Sequence, residues 1–501
     1  MRQAILIALG LVTLSGTGRA ADWPQFRGPN GSAVADDKPL PAEWAKDKNV
    51  AWKAKVPGYG WSAPVVVGDK VFVTTAVSDK QKKPTGMFGG GPGGGFGGGG
   101  PPKGGFGGGG PGGPKGGFGN QRPPDDVYRF EVYCLSAADG KVLWKETARE
   151  GKPTVPTQSS NTYASETPVT DGERVYAYFG MHGVYAYDLT GKQAWKADLG
   201  SYPTALGFGT GSSPALADGK VIVQCDNEKE SFLVALDAKT GKEAWRTPRT
   251  ERTGYSTPFV WKNKVRTEVV CVGAQKVRSY DPATGKQLWE LGGMSGQPKA
   301  TPAADDEMLY VGTGGGPGGG MGFGRPGGGA PGGPKGGGAG GPKGGFGMGG
   351  GSRPLVAVKA GASGDITLKD GAKSSEAVVW LNPQAGPQTA SPLVYRGHLY
   401  VLDDRGGTVS CYDAKTGKQV YKERLEGARS FTSSPWASDG KVYCLDDAGT
   451  THVIQAGPEF KVLGTSPLGE MCWSSPAAAD GALFVRTVDH LYCVRNSAKP
   501  K

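Results

Sequence analysis

The sequence predicts an all-β protein, an eight-bladed β-propeller of four-stranded antiparallel blades carrying two disordered Gly-rich loop insertions. Three observations predict it. A short opening that ends in proline recurs eight times, at Pro64, Pro168, Pro214, Pro258, Pro302, Pro392, Pro435 and Pro476. Ordinary spacings between these prolines run from 41 to 46 residues, and the two long ones, 104 and 90, each hold one Gly-rich segment. After each opening, short β-branched and aromatic runs alternate with D-G-K-like turns, and the unit closes in D-x-x-T-G-K-x-x-W. Four short strands separated by such turns describe one propeller blade.

Taken in chain order, residues 1–21, "MRQAILIALGLVTLSGTGRAA", pair a basic Arg2 with a short apolar run and small residues near Ala20, which reads as a secretory signal peptide. The mature chain is therefore expected to be soluble and periplasmic or extracellular. Residues 22–48 form a lead-in segment, and the propeller is expected over 49–496. Its last unit, from Trp473, supplies three strands, and "NVAWKAKV" at 49–56 is expected to complete that blade and so remove an exposed edge. Segments 81–124 and 313–354 make up 86 positions, 46 of them Gly and none acidic. Such composition cannot bury enough apolar surface to offset its ordering entropy, so both are expected to be disordered. They fall between the second and third strands of blades 1 and 5.

The net charge of +11 suggests an anionic partner. Nine of those charges, however, are Lys and Arg of the two Gly-rich segments and two are Arg2 and Arg19 of the leader, which leaves the propeller body neutral. Nucleic acid is not an expected partner of an exported chain. No stretch after the leader is apolar over the 18 or more residues that a membrane-spanning helix needs.

The closing turns explain their own spelling. In "DAKTGKEAW" (237–245), "DPATGKQLW" (281–289) and "DAKTGKQVY" (413–421), Asp bonds backbone just ahead of it and Gly takes the positive φ of the tight turn. The aromatic that follows, at Trp52, Trp144, Trp195, Trp245, Trp289, Trp380 and Tyr421, is expected to wedge against the neighbouring blade.

Other chemistry is sparse. The seven Cys include no C-x-x-C and no adjacent pair, and most sit in strand-like runs, so buried free thiols are expected. The Asp403–Asp404 and Asp446–Asp447 pairs read as turns, and the four His lack metal-ligand spacing. No metal site is expected.

The repeated D-x-x-T-G-K-x-x-W resembles the tryptophan-motif propellers of pyrroloquinoline quinone (PQQ) dehydrogenases and of the non-enzymatic outer-membrane assembly protein BamB. The start "DWPQFRGPNG" and the end "GALFVRTVDHLYCV" are similar to those of secreted PQQ-like repeat proteins of planctomycetes. For the dehydrogenases, the resemblance implies PQQ in the central channel with Ca²⁺, a carboxylate base, a Trp beneath the quinone and often a disulfide between adjacent Cys. This chain has no adjacent Cys pair.

In an up-and-down blade, the connection between strands two and three and the connection to the next blade leave at one face. Residues before each opening are therefore expected to form the channel mouth: Trp61, Arg252, Tyr255, Lys299, Arg429, Phe431, Glu470 and Trp473, with His490 from the C-terminal motif as a further candidate. The leading expectation is a non-catalytic, exported, monomeric binding or scaffolding module with no cofactor. Its partner would be a protein or peptide at the cell envelope, or an acidic polysaccharide. A PQQ- and Ca²⁺-dependent dehydrogenase is the alternative. A matrix or envelope adhesion protein using its cationic Gly-rich arms is a further one.

Overall fold

The computed structural model describes residues 22–36, 38–45, 48–86, 122–294, 296–314 and 352–496. The expected signal peptide, and residues 87–121 and 315–351 of the two insertions, lie outside the described residues. The described residues form eight antiparallel sheets of four strands, one of which gains a short fifth strand. Blade 1 runs from the channel outward as Val65–Val67, Lys70–Val77, Tyr128–Ser136 and Val142–Gly151. Blade 8 closes the ring with chain from both ends: Val50–Lys55 pairs antiparallel with His490–Arg495 as its outer strand.

Within a blade the second and third strands are buried on both faces. Val221, Ile222, Val223, Leu233, Val234 and Ala235 of blade 3 are all 0 % exposed, because neighbouring blades cover both sides. The outer strand Glu243–Arg249 alternates instead, with one face in water.

The closing turn locks one blade to the next. Asp237 Oδ1 accepts from the Thr240 N–H (2.8 Å) and hydroxyl (2.7 Å), shaping a turn that brings Gly241 to φ 71°. Gly241 lies flat against the Trp195 ring of the preceding blade, where a Cβ would stand 2.6 Å from the indole. The Trp195 Nε1–H then donates to the Ala238 carbonyl (2.9 Å) of the same turn. Trp52, Trp144, Trp245 and Trp380 repeat this bond onto Ala137, Leu189, Pro282 and Ala414, at 3.0 to 3.1 Å.

Two aromatics depart from the pattern, and in both cases the next blade explains why. Blade 5 has no T-G-K turn; its residues Gly364–Asp365 pair in parallel with the outer strand of blade 4 beside Trp289. Trp289 therefore stays inside its own blade, 0 % exposed, and donates to Glu268 Oε2 at 2.6 Å. Blade 7 carries Phe460 near the turn, and Tyr421 meets that ring at 5.5 Å.

The flanks of the insertions correct the expected boundaries of disorder. Lys83 pairs with Asp489 (2.5 Å), and the Thr85 N–H donates to the Ser159 carbonyl (3.1 Å). Beyond the second insertion, Arg353 pairs with Asp403 (2.9 Å), and its backbone bonds Pro383 and Gly386. The ordered body thus extends into 81–86 and 352–354, and Lys83 and Arg353 belong to it.

The lead-in segment is a plug across one end of the channel. Trp23 exchanges backbone bonds with Val66 of blade 1, the Pro24 carbonyl accepts from Thr170 of blade 2, and Ala33 and Ala35 bond Ala437 of blade 7. Buried Arg27 donates to the Pro302 (2.9 Å) and Pro392 (2.5 Å) carbonyls of blades 5 and 6. Arg27, Asn30 and Ala33 all hold positive φ, between 54° and 64°. Left-handed backbone costs about 1–3 kcal/mol at such residues and persists where surrounding contacts fix it. All seven cysteines are free thiols.

Candidate functional site

The opening of each blade is extended chain, so side chains two residues apart share a face. The residue before each proline faces the channel and is Ala63, Thr167, Ser213, Thr257, Thr301, Ser391, Ser434 or Ser475. Seven of these carry a hydroxyl, and each hydroxyl accepts from the backbone N–H of the equivalent residue in the preceding blade. The bonds run from Ala63 N–H to Thr167 Oγ1 (2.9 Å) around to Ser434 N–H to Ser475 Oγ (2.9 Å). The circuit breaks once, where Ala63 offers no oxygen to Ser475; there the Ser474 hydroxyl reaches the Ser62 carbonyl instead (3.0 Å).

Two residues earlier, a second tier forms the mouth: Trp61, Ser165, Gly211, Tyr255, Lys299, Thr389, Thr432 and Trp473, one from each blade, all lining one cavity of ≈ 530 Å³. Phe26 of the plug lines the same cavity, so it is blind at that end. Asp404 and Arg405, from the connection between strands two and three of blade 6, complete the rim beside Lys299.

The tier is polarised across its diameter. On the side of blades 8 and 1, Trp61 and Trp473 stack at 5.5 Å with 28° between their planes, and Trp61 Nε1–H donates to the Ser160 carbonyl (2.9 Å). Half a turn from Trp61, on blade 5, stands Lys299, with Asp404 and Arg405 of blade 6 next to it. Burial pushes the Lys299 ammonium below its ordinary value, an effect the Asp404 charge opposes. Burial likewise raises the Asp404 carboxyl, opposed by Lys299. Lys299 makes no hydrogen bond or ion pair among the described residues, and Asp404 Oδ1 is buried without a partner.

Four of the nine expected mouth residues, Trp61, Tyr255, Lys299 and Trp473, line the cavity. The other five do not, and strand parity or ion pairing accounts for all but Arg429. Phe431 is one residue out of phase with Thr432, so it points into the core, where it is 0 % exposed. Arg252 is held outside by Glu228 at 2.8 Å, and Arg429 is exposed on its loop. Glu470 and His490 sit over the outer strands of blade 8. Burial would raise the Glu470 carboxyl, but bonds from Lys53, Thr487, His490 and Tyr492 outweigh it and hold it down at about 2. Counting back two from each channel hydroxyl would have found Ser165, Gly211, Thr389 and Thr432. The sequence marked Asp404 only as half of a turn pair and Arg405 not at all, and both arrive from a different connection, the one between strands two and three.

Comparison with known proteins agrees with this architecture. The family profile described as outer membrane protein assembly factor BamB matches residues 127–276 and 364–457, just under half of the chain. The matched segments are similar to BamB-like repeats of the PQQ type, and the eight sheets make the chain a propeller. Among curated relatives, polyvinylalcohol dehydrogenase of Sphingopyxis sp. is 28% identical over 198 residues, covering 36% of this chain and 26% of that one. Tetrathionate hydrolase of Acidithiobacillus ferrooxidans is 28% identical over 233 residues, covering 36% and 46%. The chain thus spans from about a quarter to under half of the length of these relatives. Among solved structures, a europium-containing methanol dehydrogenase aligns with a TM-score of 0.52 at 12% identity, covering 94% of this chain and 90% of that one. The quinohemoprotein alcohol dehydrogenase of Comamonas testosteroni aligns with 0.52 at 11%, covering 97% and 82%. At such identities the likeness is one of fold.

The described lining of the channel does not offer the donor set that a quinone with Ca²⁺ calls for. Calcium takes six to eight oxygen ligands, usually with several carboxylates. The described lining supplies one, Asp404, and no group of three or more His, Cys, Asp or Glu among the described residues is arranged to hold a metal ion. The two mouth tryptophans stack on each other and leave no slot between them for a flat ring. No helix among the described residues is long and apolar enough to cross a membrane.

Proposed function

We propose that this chain is a non-catalytic binding module of the cell envelope, exported by its N-terminal leader, with the mouth of the channel as its ligand site. The observation that carries the reading is the blind ≈ 530 Å³ channel, aromatic on one side and charged on the other, whose described lining contains one carboxylate. Such a cavity has the size and the mix of apolar wall and few polar anchors that suit a small ligand or a chain end. A lone carboxylate beside Lys299 lacks a positioned partner for acid–base work. The BamB-like repeat favours a role in holding partners together.

The test is catalytic. The full chain is incubated with PQQ and either Ca²⁺ or a lanthanide, then followed for bound-quinone absorbance and for dye-linked oxidation of primary and secondary alcohols. The expected result is neither quinone retention nor turnover. Turnover above the cofactor-only control would overturn the binding reading in favour of a quinone-dependent oxidoreductase.

A further inference from the structure

Hydrogen-bond capacity in the channel is lopsided. Each hydroxyl of the lower tier already accepts a backbone N–H, and none of the seven donates to a protein acceptor among the described residues. A hydroxyl that accepts still has its own proton to give. Six of them, Thr167, Ser213, Thr257, Ser391, Ser434 and Ser475, line the cavity. To these donors is added the Lys299 ammonium, against the single carboxylate of Asp404. A donor-rich cavity with an ammonium that makes no ion pair among the described residues fits a ligand rich in acceptor oxygens, one of them negatively charged. The plug makes the cavity blind, so such a ligand enters by its end and does not thread through.

Across the mouth, the stacked indoles of Trp61 and Trp473 present apolar surface, Trp61 half a turn from Lys299, with Asp404 one blade further round. A ligand spanning that width needs an apolar ring face, an oxyanion to meet Lys299 and a hydroxyl to donate to Asp404. One chemical class carries all three on a single ring. Resting on the binding-module reading above, we propose that the channel takes the terminal uronic acid of an acidic polysaccharide, its carboxylate on Lys299, a ring hydroxyl on Asp404 and its C–H face toward Trp61 and Trp473. A peptide C-terminus brings the carboxylate but neither the flat ring face nor the hydroxyls.

Three probes on the full chain decide it: trigalacturonate, the neutral galactose trimer that lacks its carboxylates, and acetyl-trialanine with a free C-terminus. Calorimetry gives affinity, and tryptophan emission reports contact at the mouth. Trigalacturonate is expected to bind saturably with a change in emission, and the other two at least tenfold more weakly. Lys299→Met, which keeps the apolar stem, should weaken trigalacturonate at least tenfold, whereas Lys239→Gln on the exposed rim of blade 3 should leave it unchanged. Equal affinity for the neutral trimer, equal affinity for the peptide, an unaffected Lys299→Met, or no binding of trigalacturonate would each overturn the proposal. The probe comparison uses the unaltered protein and stands even if Lys299→Met does not fold. Binding of the neutral trimer or the peptide at the mouth would refute the uronic acid yet leave the binding-module reading intact. That reading fails separately, by alcohol turnover with PQQ.

Discussion

Between the two channel-facing tiers lies one residue that points the other way, into the blade. Seven blades carry Ser or Ala there, all buried, and blade 2 carries Glu166. Its side chain is 1 % exposed, Oε1 has no partner, and no cation faces it. Burial pushes its carboxyl up to about 7, relieved in part by a bond to Thr210. An acid with a folded pKa above its unfolded value holds more protons when folded, so stability falls as pH rises between the two values and levels off above the higher one. Between about pH 4.5 and 7 this residue should withdraw roughly 3 kcal/mol. Glu166→Gln is therefore expected to leave the melting temperature unchanged at pH 4 and raise it at pH 8. Melting curves at both pH values check this, and an equal shift at both would refute the burial argument. Arg27 and Arg486 are the converse: fully buried cations pushed down to about 9 by desolvation, and still charged at neutral pH. Carbonyl and hydroxyl oxygens accept from them in place of carboxylates, though Arg27 Nε has no partner among the described residues.

Between elements, two devices join blades, and they differ in how far the sequence disclosed them. The tryptophan wedge was legible because both partners, the Gly of one turn and the Trp of the preceding strand, sit in the same motif. It failed at Trp289 because a wedge depends on what the next blade presents, and blade 5 presents a parallel strand instead of a turn. The hydroxyl circuit was legible only as an abundance of Ser and Thr before proline. Its break at Ala63 coincides with the seam where the two chain ends meet. Ala63→Ser should supply the missing acceptor for the Ser475 N–H and stabilise by about 1 kcal/mol, while Ser391→Ala should strand the Thr301 N–H and cost about 1–3 kcal/mol. Urea unfolding of both variants checks the pair; shifts of the same sign would show that the circuit does not hold the seam. Gly241→Ala places a methyl against the Trp195 ring at φ 71°, so it should destabilise by more than the ~1 kcal/mol that the same change contributes in open chain, as thermal unfolding will show.

For the molecule as a whole, the lead-in segment matters more than its length suggests, because it touches the inner strands of six blades and closes one end of the channel. Removing residues 22–35 should strip hydrogen-exchange protection from the amides of Val66, Thr170 and Ala437, whose acceptors lie in the segment, and leave buried amides such as Val223 and Leu233 protected. Protection retained at those three amides would mean that the plug is not what holds the inner strands at that end. The sequence by itself determined the number of blades, the closing of the eighth by the first strand and the inter-blade tryptophans, because each is written in local periodicity and turn chemistry that repeats along the chain. Tertiary structure alone decided which openings face the channel together, that "DWPQFRGPNG" plugs it, and that Asp404 stands near Lys299. Those relations join residues up to hundreds of positions apart around a closed ring, and no local pattern encodes a distance across it.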